Sequence, residues 1–319
     1  MTDSIVLQGV TKTFGTQKAV DDLDLVVPEG SIYGFIGPNG SGKTTTIRMI
    51  LRIFQPDCGM VRVLGNELGS VADDRVGYLP EERGMYKRMK VRDLLTYYSR
   101  LKGFYNCRDE IQKWLDRLGA ADWGKKRIDT LSKGMAQKVQ FIAAVVARPQ
   151  LVILDEPFSG LDPLNLEVLQ DAVLQLRKNG STIIFSTHDM HVAERLCDTI
   201  FMVFQGRKVL DGTLENIQRE FMSNILRIRL ANEHSEPPRM NGVDAVRAGR
   251  YWELSSNRGD SQSVLRELAH SDVEVDHFEK VRPTLHDIFV RVAQPEDVPE
   301  KDAQAGVGGR FEHRSTEKG

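Results

Sequence analysis

The sequence has few cysteines and no excess of either charge, and both shortages exclude classes of protein. Its three cysteines, among 319 residues, are scattered and form neither a CxxC pair nor a Cys/His cluster. We therefore expect reduced thiols, and neither a disulfide framework nor a zinc site. The 43 basic and 45 acidic residues give a net charge of −2. Because nucleic-acid binding usually requires a strongly basic surface, we expect no nucleic-acid partner.

Long apolar runs are also missing. A membrane-spanning helix needs about 20 consecutive apolar residues, whereas Phe141 to Ala147, among the longest apolar runs, is ended by Arg148-Pro149. The first four residues contain no basic and apolar segment of the kind that directs secretion. We expect a cytoplasmic protein that reaches a membrane only through a partner. With 40% hydrophobic residues, the chain can form the core of one large or two ordinary domains.

What the sequence does contain is an alternation of short apolar strands with helices. A predicted strand, Ser31–Ile36, is followed by a predicted helix, Thr44–Phe54. Further along come strand Leu151–Leu154, helix Pro163–Lys178, strand Thr182–Ser186 and a helix from about Met190 to Leu196. Such alternation is typical of an α/β fold with a parallel sheet. The strands before the glycine loop, Ile5–Val10, Leu23–Val27 and Ser31–Ile36, have no helices between them, which favours an antiparallel β patch beside the core.

Helices are also predicted between the two halves of this pattern. After two short β segments, Met60–Leu64 and Arg75–Leu79, the section from Val91 to about Gly119 carries apolar residues at helical spacing. Met135–Ala147 is a second helix of the same kind. We expect a helical subdomain at about residues 88–135, inside a first domain of residues 1–215.

The sequence changes character after about Gly212. Strands are predicted at Ile225–Leu230, Tyr251–Ser255 and Val273–Phe278, with helices at Ser261–Ala269 and Pro283–Val292. Residues 216–293 are therefore expected to form a small accessory α+β domain. From Gln294 the chain is polar and rich in glycine, which predicts a disordered tail at 294–319.

One glycine-rich segment carries specific chemistry. It reads Gly37-Pro38-Asn39-Gly40-Ser41-Gly42-Lys43-Thr44, and it fits the G-x-x-x-x-G-K-[ST] pattern between a predicted strand and a predicted helix. In such a loop, successive backbone N–H groups point at phosphate oxygens and the helix N-terminus adds positive potential. Lys43 would neutralise the β and γ phosphates, and the Thr44 hydroxyl would ligate Mg²⁺. Thr45 follows in the first turn and is included among the phosphate-binding residues.

A second segment places acidic residues at a strand end. The apolar strand Leu151–Leu154 delivers Asp155 and Glu156 to its carboxyl end, the edge at which parallel sheets bind ligands. Asp155 would hold Mg²⁺ through water, and Glu156 would orient or deprotonate the attacking water. Strands often end in solvated acids, so this segment alone decides little. The glycine loop upstream favours the functional interpretation.

A third segment, Leu131-Ser132-Lys133-Gly134-Met135, lies between these two. Ser132 directly precedes a predicted helix and is suited to cap it. Simple helix capping is one interpretation. The other is a second anion-binding helix start that uses the Ser132 hydroxyl and the Gly134 amide. In this order, the three segments resemble those of the ATP-binding-cassette (ABC) ATPases, and the resemblance extends over about Ile5 to Thr213.

This resemblance implies how the second helix start is used. In the family, the signature segment (here Leu131–Met135) of one subunit closes over ATP that is held by the glycine loop of another. We therefore expect a second ABC subunit, in a homodimer or, as the alternative, in a heterodimer. Ser159-Gly160-Leu161-Asp162 resembles the family's D-loop, which would bring Asp162 to the nucleotide. Asp162 before Pro163 is also a good local helix start.

Three further residues match positions that the family uses. His188, just past strand Thr182–Ser186, matches the switch histidine that contacts the γ-phosphate. Phe14 resembles the aromatic residue that stacks on adenine, although an aromatic near a strand end is more often part of a core. Glu81 stands where the family's Q-loop usually has glutamine, and it could still accept a hydrogen bond from water or meet Mg²⁺.

Departures from the family pattern indicate a subclass. Lys133 and Met135 replace the usual Gly and Gln of the signature segment. With the segment Pro80–Tyr86 and the accessory domain, they resemble bacterial sodium-efflux and antibiotic-export ATPases that work with separate membrane permeases. The resemblance implies an ATP-hydrolysing exporter subunit at the inner face of the membrane, with ATP and Mg²⁺. The permease would contact about Gly84 to Val91 and the helices beyond it. The basic residues of this segment, Lys87, Arg88 and Lys90, could equally form a solvated face.

Two other classes are compatible with part of the sequence. A cytosolic cassette could act on DNA or ribosomes without transport. Repair cassettes usually carry a long coiled-coil insertion, and ribosomal ones usually carry two cassettes in one chain; neither feature occurs here. A nucleotide-binding module could also regulate without hydrolysis. The presence of Lys43, Asp155, Glu156 and His188 argues against that alternative.

Overall fold

The computed structural model describes residues 3–67, 74–82, 84–222, 225–232, 235–256, 261–271 and 273–293. The predicted tail at 294–319 lies outside these ranges. In chain order the strands are β1 (Asp3–Phe14), β2 (Gln17–Pro28), β3 (Ile32–Ile36), β4 (Cys58–Val63), β5 (Asn66–Glu67), β6 (Val76–Leu79), β7 (Leu151–Asp155), β8 (Thr182–Thr187), β9 (Thr199–Phe204), β10 (Arg207–Thr213), β11 (Ile225–Leu230), β12 (Val243–Ala248), β13 (Tyr251–Ser256) and β14 (Val275–Lys280). The helices are α1 (Lys43–Ile50), α2 (Val91–Leu101), α3 (Arg108–Arg117), α4 (Lys133–Val145), α5 (Pro163–Lys178), α6 (Met190–Leu196), α7 (Leu214–Glu220), α8 (Ser261–Ala269) and α9 (Leu285–Ala293).

A six-stranded sheet forms the centre of the molecule, in the order β10-β9-β3-β8-β7-β6. All its pairings are parallel except that of β9 with β10. Every residue of β3, β7 and β8 is buried, as expected for parallel strands that are covered on both faces. The predicted α/β fold is confirmed. It places the carboxyl ends of β3, β7 and β8 at one edge of the sheet.

An antiparallel sheet packs beside this centre, in the order β2-β1-β4-β5. Its core residues Leu7, Val20 and Leu25 share a cluster with Phe35 of β3 and Ile47 of α1. The predicted antiparallel patch is therefore confirmed for the first two strands. The third strand before the glycine loop, β3, lies instead within the parallel sheet, between β8 and β9.

The helical section does not run continuously from Val91 to Gly119. It divides into α2 and α3, because Gly103 adopts a left-handed backbone with φ of 72° just after α2. Ser99 Oγ closes this end by donating to the Phe104 carbonyl at 2.7 Å. The two helices pack on α4, where the rings of Trp114 and Phe141 meet edge to face with centroids 5.9 Å apart. None of the helices in the described ranges is long and apolar enough to cross a membrane.

The C-terminal part contains a third sheet, in the order β12-β13-β11-β14. Alternate residues of β11, Leu226, Ile228 and Leu230, join Val264 and Leu268 of α8 in one apolar cluster. Helix α9 packs elsewhere: Leu285 and Ile288 are buried in a cluster with Ile36 of β3 and Ala193 of α6. The backbone N–H of Leu285 also donates to Glu194 of α6, at 2.6 Å. The last helix is therefore fixed to elements of the central sheet layer.

Candidate active site

A cleft of about 360 Å³ lies at the carboxyl edge of the central sheet. Residues from the glycine loop, the first strands, the end of β7 and the segment after β6 form its walls. They are Phe14, Gln17, Ala19, Asn39, Gly40, Gly42, Lys43, Thr44, Thr45, Glu81 and Glu156. The fold thus brings together side chains that are distant in sequence, including most of those predicted for the nucleotide site.

The glycine loop follows β3 and leads into α1 through backbone conformations that only glycine adopts easily. Gly37 has φ of 155°, and a Cβ there would lie 2.2 Å from the Val203 carbonyl oxygen. Gly42, which caps α1, has φ of 107°, and its Cβ would lie 2.4 Å from the Ala19 carbonyl oxygen. Any larger residue would displace the backbone. These glycines leave the N-terminal amides of α1 open to a ligand.

Two polar groups of the loop lack the partner that a phosphate would supply. Ser41 Oγ is buried and has no hydrogen-bond partner among the described residues. Lys43 is 5% exposed, and within the described part of the chain its Nζ donates to two backbone carbonyls, Gly37 O at 2.7 Å and Pro38 O at 3.0 Å. Burial lowers the pKa of Lys43, while the carboxylates of Glu156, Asp155 and Glu81 act in the opposite direction. An anion in the cleft would favour the charged lysine further.

The acidic end of β7 is held by the strand beside it. Asp155 is 1% exposed, and its Oδ1 lies 2.5 Å from Ser186 Oγ of β8 and 3.5 Å from Thr44 Oγ1 of α1. Both Asp155 and Thr44 are predicted to hold Mg²⁺, and the fold places their oxygens near each other. Burial, followed by the nearby Asp155 charge, raises the pKa of Tyr78 in β6 to about 12, which keeps this neighbouring phenol neutral.

Glu156 turns away from the strand direction toward the cleft. Its φ of 49° lies in the left-handed region, which non-glycine residues seldom adopt. The turn brings Glu156 Oε1 to 3.0 Å from His188 Nδ1, just past β8. The Glu156 side chain is 10% exposed and that of His188 is 57% exposed. A carboxylate paired with an accessible imidazole is suited to orient a water molecule and accept its proton.

Glu81 and Phe14 border the same cleft from two sides. The segment around Glu81 is tied to α4, because Gln140 Nε2 donates to the carbonyls of Pro80 and Glu82, each at 3.2 Å. Sequence reasoning missed Gln140, whose role depends on a contact across 58 residues. Phe14 is 46% exposed and meets the Phe54 ring edge to face. It is thus not a core residue, and Lys12 Nζ lies over its ring at 5.7 Å from the centroid.

The signature segment lies apart from this cleft. Ser132 caps α4, accepting the Met135 N–H at 3.3 Å, but neither Ser132 nor Gly134 belongs to the residues that line the cleft. A Cβ at Gly134 would lie 3.7 Å from Leu161 of the D-loop segment. Asp162 in turn caps α5 by accepting the Asn165 N–H at 2.9 Å, a bond that lowers the Asp162 pKa. Both predicted helix caps are confirmed.

Comparisons with known proteins agree with this geometry. A protein-family profile described as "ABC transporter" matches residues 20–159, and one described as "ATP-binding protein DrrA1-3-like, C-terminal domain" matches residues 212–293. The uncharacterized ABC transporter ATP-binding protein YhaQ of Bacillus subtilis is 40% identical over 300 residues, which cover 90% of this chain and 97% of that protein.

Two further comparisons extend this result. The daunorubicin/doxorubicin resistance ATP-binding protein DrrA of Streptomyces peucetius is 32% identical over 303 residues, which cover 91% of this chain and 92% of that protein. A solved structure described as the ATP binding subunit of an ABC transporter superposes with a TM-score of 0.63 at 29% identity. The superposition covers 68% of this chain and 92% of that one.

Proposed function

The chain belongs to the family of ABC transporter ATP-binding proteins, and from that premise we propose that it hydrolyses ATP to drive export through a separate membrane permease. One observation carries the proposal. The glycine loop and Glu156, which contacts His188, line one cleft, so that groups suited to bind phosphate and a base stand together. A module that only bound nucleotide would not need the base.

We propose that Gly37 to Thr45 hold the triphosphate. The loop amides and the start of α1 favour negative charge. Lys43 would exchange its two backbone carbonyl partners for phosphate oxygens, which favour the charged amine. The buried Ser41 hydroxyl would gain a partner from the same oxygens. The half-exposed ring of Phe14 is placed at the cleft wall, where it would stack on the adenine.

The residues present also fit a Mg²⁺ ion. Thr44 and Asp155 supply hard oxygen ligands, and Glu81 adds a carboxylate to the cleft. The described residues contain no group of three or more His, Cys, Asp or Glu side chains able to hold a metal. A site with so few protein ligands suits a Mg²⁺ ion that is also bound by the triphosphate. We propose Thr44 and Asp155 as ligands, with Glu81 beside them. When bound, Mg²⁺ neutralises charge on the phosphates.

Hydrolysis would rest on Glu156 and His188. Glu156 would orient the attacking water and accept its proton, and His188 would hold the carboxylate in place and contact the γ-phosphate. The 3.0 Å contact between them fixes their relative orientation. Because the His188 side chain is 57% exposed, a ligand can reach it without rearrangement of the core.

We propose that the signature segment completes the site of a second copy. Ser132 is exposed and, with Gly134, starts helix α4, yet neither residue lines the cleft of its own chain. A two-fold dimer would place each signature segment over the ATP held by the partner's glycine loop. Gly134 lies next to Leu161, the residue before Asp162. Asp162 would therefore lie at the same interface.

The permease and the position at the membrane form the remaining part of the proposal. The segment Gly84 to Val91 would receive the permease at the inner face of the membrane. We propose the division into an ATPase domain of residues 1–215 and an accessory domain of residues 216–293. The cargo would be a sodium ion or a drug-like molecule, and similarity to a daunorubicin/doxorubicin resistance ATP-binding protein supports the drug-like cargo.

A comparison of wild type and Glu156→Gln tests the proposed function. Wild type should hydrolyse ATP only with Mg²⁺, whereas Glu156→Gln should bind ATP, hydrolyse it slowly and accumulate as a closed dimer in size-exclusion chromatography. Full turnover by Glu156→Gln would contradict the assignment of Glu156. Isolation of the protein from membranes together with a multi-span protein tests the permease partnership, and its absence from the membrane fraction would contradict it.

A further inference from the structure

Ser186 lies at the centre of the site, yet no motif of the sequence points to it. It is fully buried near the carboxyl end of β8, between β3 and β7. The strand register pairs it with Phe35 on one side and with Asp155 on the other. Ser186 is therefore the residue of β8 that stands beside the acidic end of β7, two positions before His188.

The Ser186 hydroxyl bonds to both members of the acidic pair. Its Oγ lies 2.5 Å from Asp155 Oδ1, to which it donates, and it accepts the backbone N–H of Glu156 at 3.0 Å. A serine hydroxyl has one proton to donate and lone pairs with which to accept. Both functions are used here, and both are directed at residues that the proposed mechanism requires.

These two bonds account for the shape of the chain after β7. The strand ends at Asp155, so the next N–H would leave the sheet without its ladder partner, and a buried N–H needs another acceptor. Ser186 Oγ provides one at the point where Glu156 turns into its left-handed conformation. That turn sends the Glu156 carboxylate toward His188. One atom, Ser186 Oγ, thus orients both carboxylates. It holds that of Asp155 directly and that of Glu156 through the Glu156 backbone.

Most buried serines do something simpler. Ser181, which directly precedes the same strand, is also buried, and its hydroxyl donates to the Pro149 carbonyl at 2.8 Å. Such a bond satisfies the serine without touching the site. Ser181→Ala is therefore a matched control. It removes a buried serine hydroxyl next to the same strand, and that hydroxyl makes its bond to Pro149 and not to Asp155 or Glu156.

Given the proposed function on which this rests, we infer that Ser186 is a positioning residue for the acidic pair. Its hydroxyl holds Asp155 toward the Mg²⁺ position and Glu156 toward the water position. Ser186→Ala should leave nucleotide binding in place while the carboxylates lose their common anchor. Ser186→Cys, with a weaker donor of similar shape, should fall between wild type and Ser186→Ala.

The first test needs neither metal nor turnover. Residue-resolved hydrogen exchange on the nucleotide-free protein measures the Glu156 amide, which should be protected in wild type and in Ser181→Ala. In Ser186→Ala it should exchange at least about 10-fold faster, because its acceptor is gone. Equal protection of this amide in Ser186→Ala and wild type would overturn the inference, whatever the enzyme activity proves to be.

The second test separates positioning from folding. In Ser186→Ala, kcat should fall about 10- to 100-fold with KM for ATP changed less than about twofold, and half-saturation by Mg²⁺ should move to higher concentration. The loss should exceed any fall in the folded fraction, followed by thermal unfolding. Unchanged kcat and Mg²⁺ dependence, or equal losses in Ser181→Ala, would overturn the inference. Inactive wild type would contradict the proposed function instead, and the exchange test would still decide on Ser186.

Discussion

The chain contains two helix starts suited to anions, and the fold surrounds them very differently. At the start of α1, the glycine loop has a buried lysine, a nearby acidic pair and a buried hydroxyl for which the described residues supply no hydrogen-bond partner. At the start of α4, the signature segment has one side-chain cap and a neighbouring helix start at Asp162. The start of α1 has the groups that ATP hydrolysis would need, whereas the start of α4 has only groups that could contact a phosphate.

This difference explains why one chain would not suffice. A helix N-terminus attracts anions by itself with only modest strength, so the signature segment becomes selective only when another surface presents a phosphate to it. The glycine loop, conversely, is open on the side where its cleft meets solvent. Under the proposed function each helix start supplies what the other lacks, and a two-fold dimer of this chain would bring the two together.

The largest effect should come from the loop side. Lys43→Ala removes the cation nearest the expected phosphates and should lower ATP turnover on the order of 100- to 1,000-fold. Nucleotide binding, followed by a fluorescent ATP analogue, should weaken in parallel. Unchanged hydrolysis would contradict the assignment of the loop. Lys138→Ala serves as a control, since Lys138 is also a buried lysine, bonded to the Leu118 carbonyl at 2.8 Å and outside the cleft lining.

A negative charge in the signature segment should lower turnover without weakening nucleotide binding. Gly134→Asp places a carboxylate at the α4 start, where it would repel phosphate. Turnover should fall about 100-fold while ATP binding by the single chain stays within about twofold of wild type. Gly134→Ala is the matched control, because a Cβ at this position makes only ordinary van der Waals contact. Weakened ATP binding in Gly134→Asp would mean that the segment contacts nucleotide in its own chain.

Loss of the cap itself should be milder. Ser132→Ala removes the acceptor of the Met135 N–H and should cost about 1 kcal/mol of stability, measured by chemical unfolding. Turnover should fall about 10-fold, because the helix remains and only one donor to phosphate is lost. A normal turnover with the same loss of stability would reduce Ser132 to a helix cap.

The smallest effect concerns the pH dependence of stability, and it arises at the start of α1. Burial lowers the Lys43 pKa, so between that value and about 10.4 the unfolded chain binds more protons than the folded one. Stability of the nucleotide-free protein should rise with pH across this window. Lys43→Met should reduce the slope, and chemical unfolding at several alkaline pH values measures the difference. Equal slopes in both proteins would contradict a buried, destabilised cation.

Sequence patterns predicted the parts of the site that are local. The glycine loop, the acidic strand end and the helix caps at Ser132 and Asp162 each depend on a few consecutive residues, and each has the predicted secondary structure around it. Strands β9 and β10 were missed, although the apolar run Thr199–Phe204 carried a usable signal. Edge strand β12 offered less, since most of its residues are exposed.

The parts that sequence did not predict are tertiary. Ser186 and Gln140 matter through hydrogen bonds to residues 30 or more positions away, and nothing in their local sequence distinguishes them from ordinary buried polar residues. The place of α9 is similar. Its apolar face was predictable, but its packing against Ile36 and α6 follows from the arrangement of the sheets. Such roles depend on which elements become neighbours.

Complementation between two inactive chains tests the central claim most directly. Lys43→Ala keeps an intact signature segment, and Gly134→Asp keeps an intact glycine loop. In a mixed dimer, one of the two sites would combine both intact halves. Mixing the chains should therefore restore ATP hydrolysis, up to about a quarter of wild type if half of the dimers are mixed. A mixture as inactive as its separate components would contradict a site built from two copies of this chain.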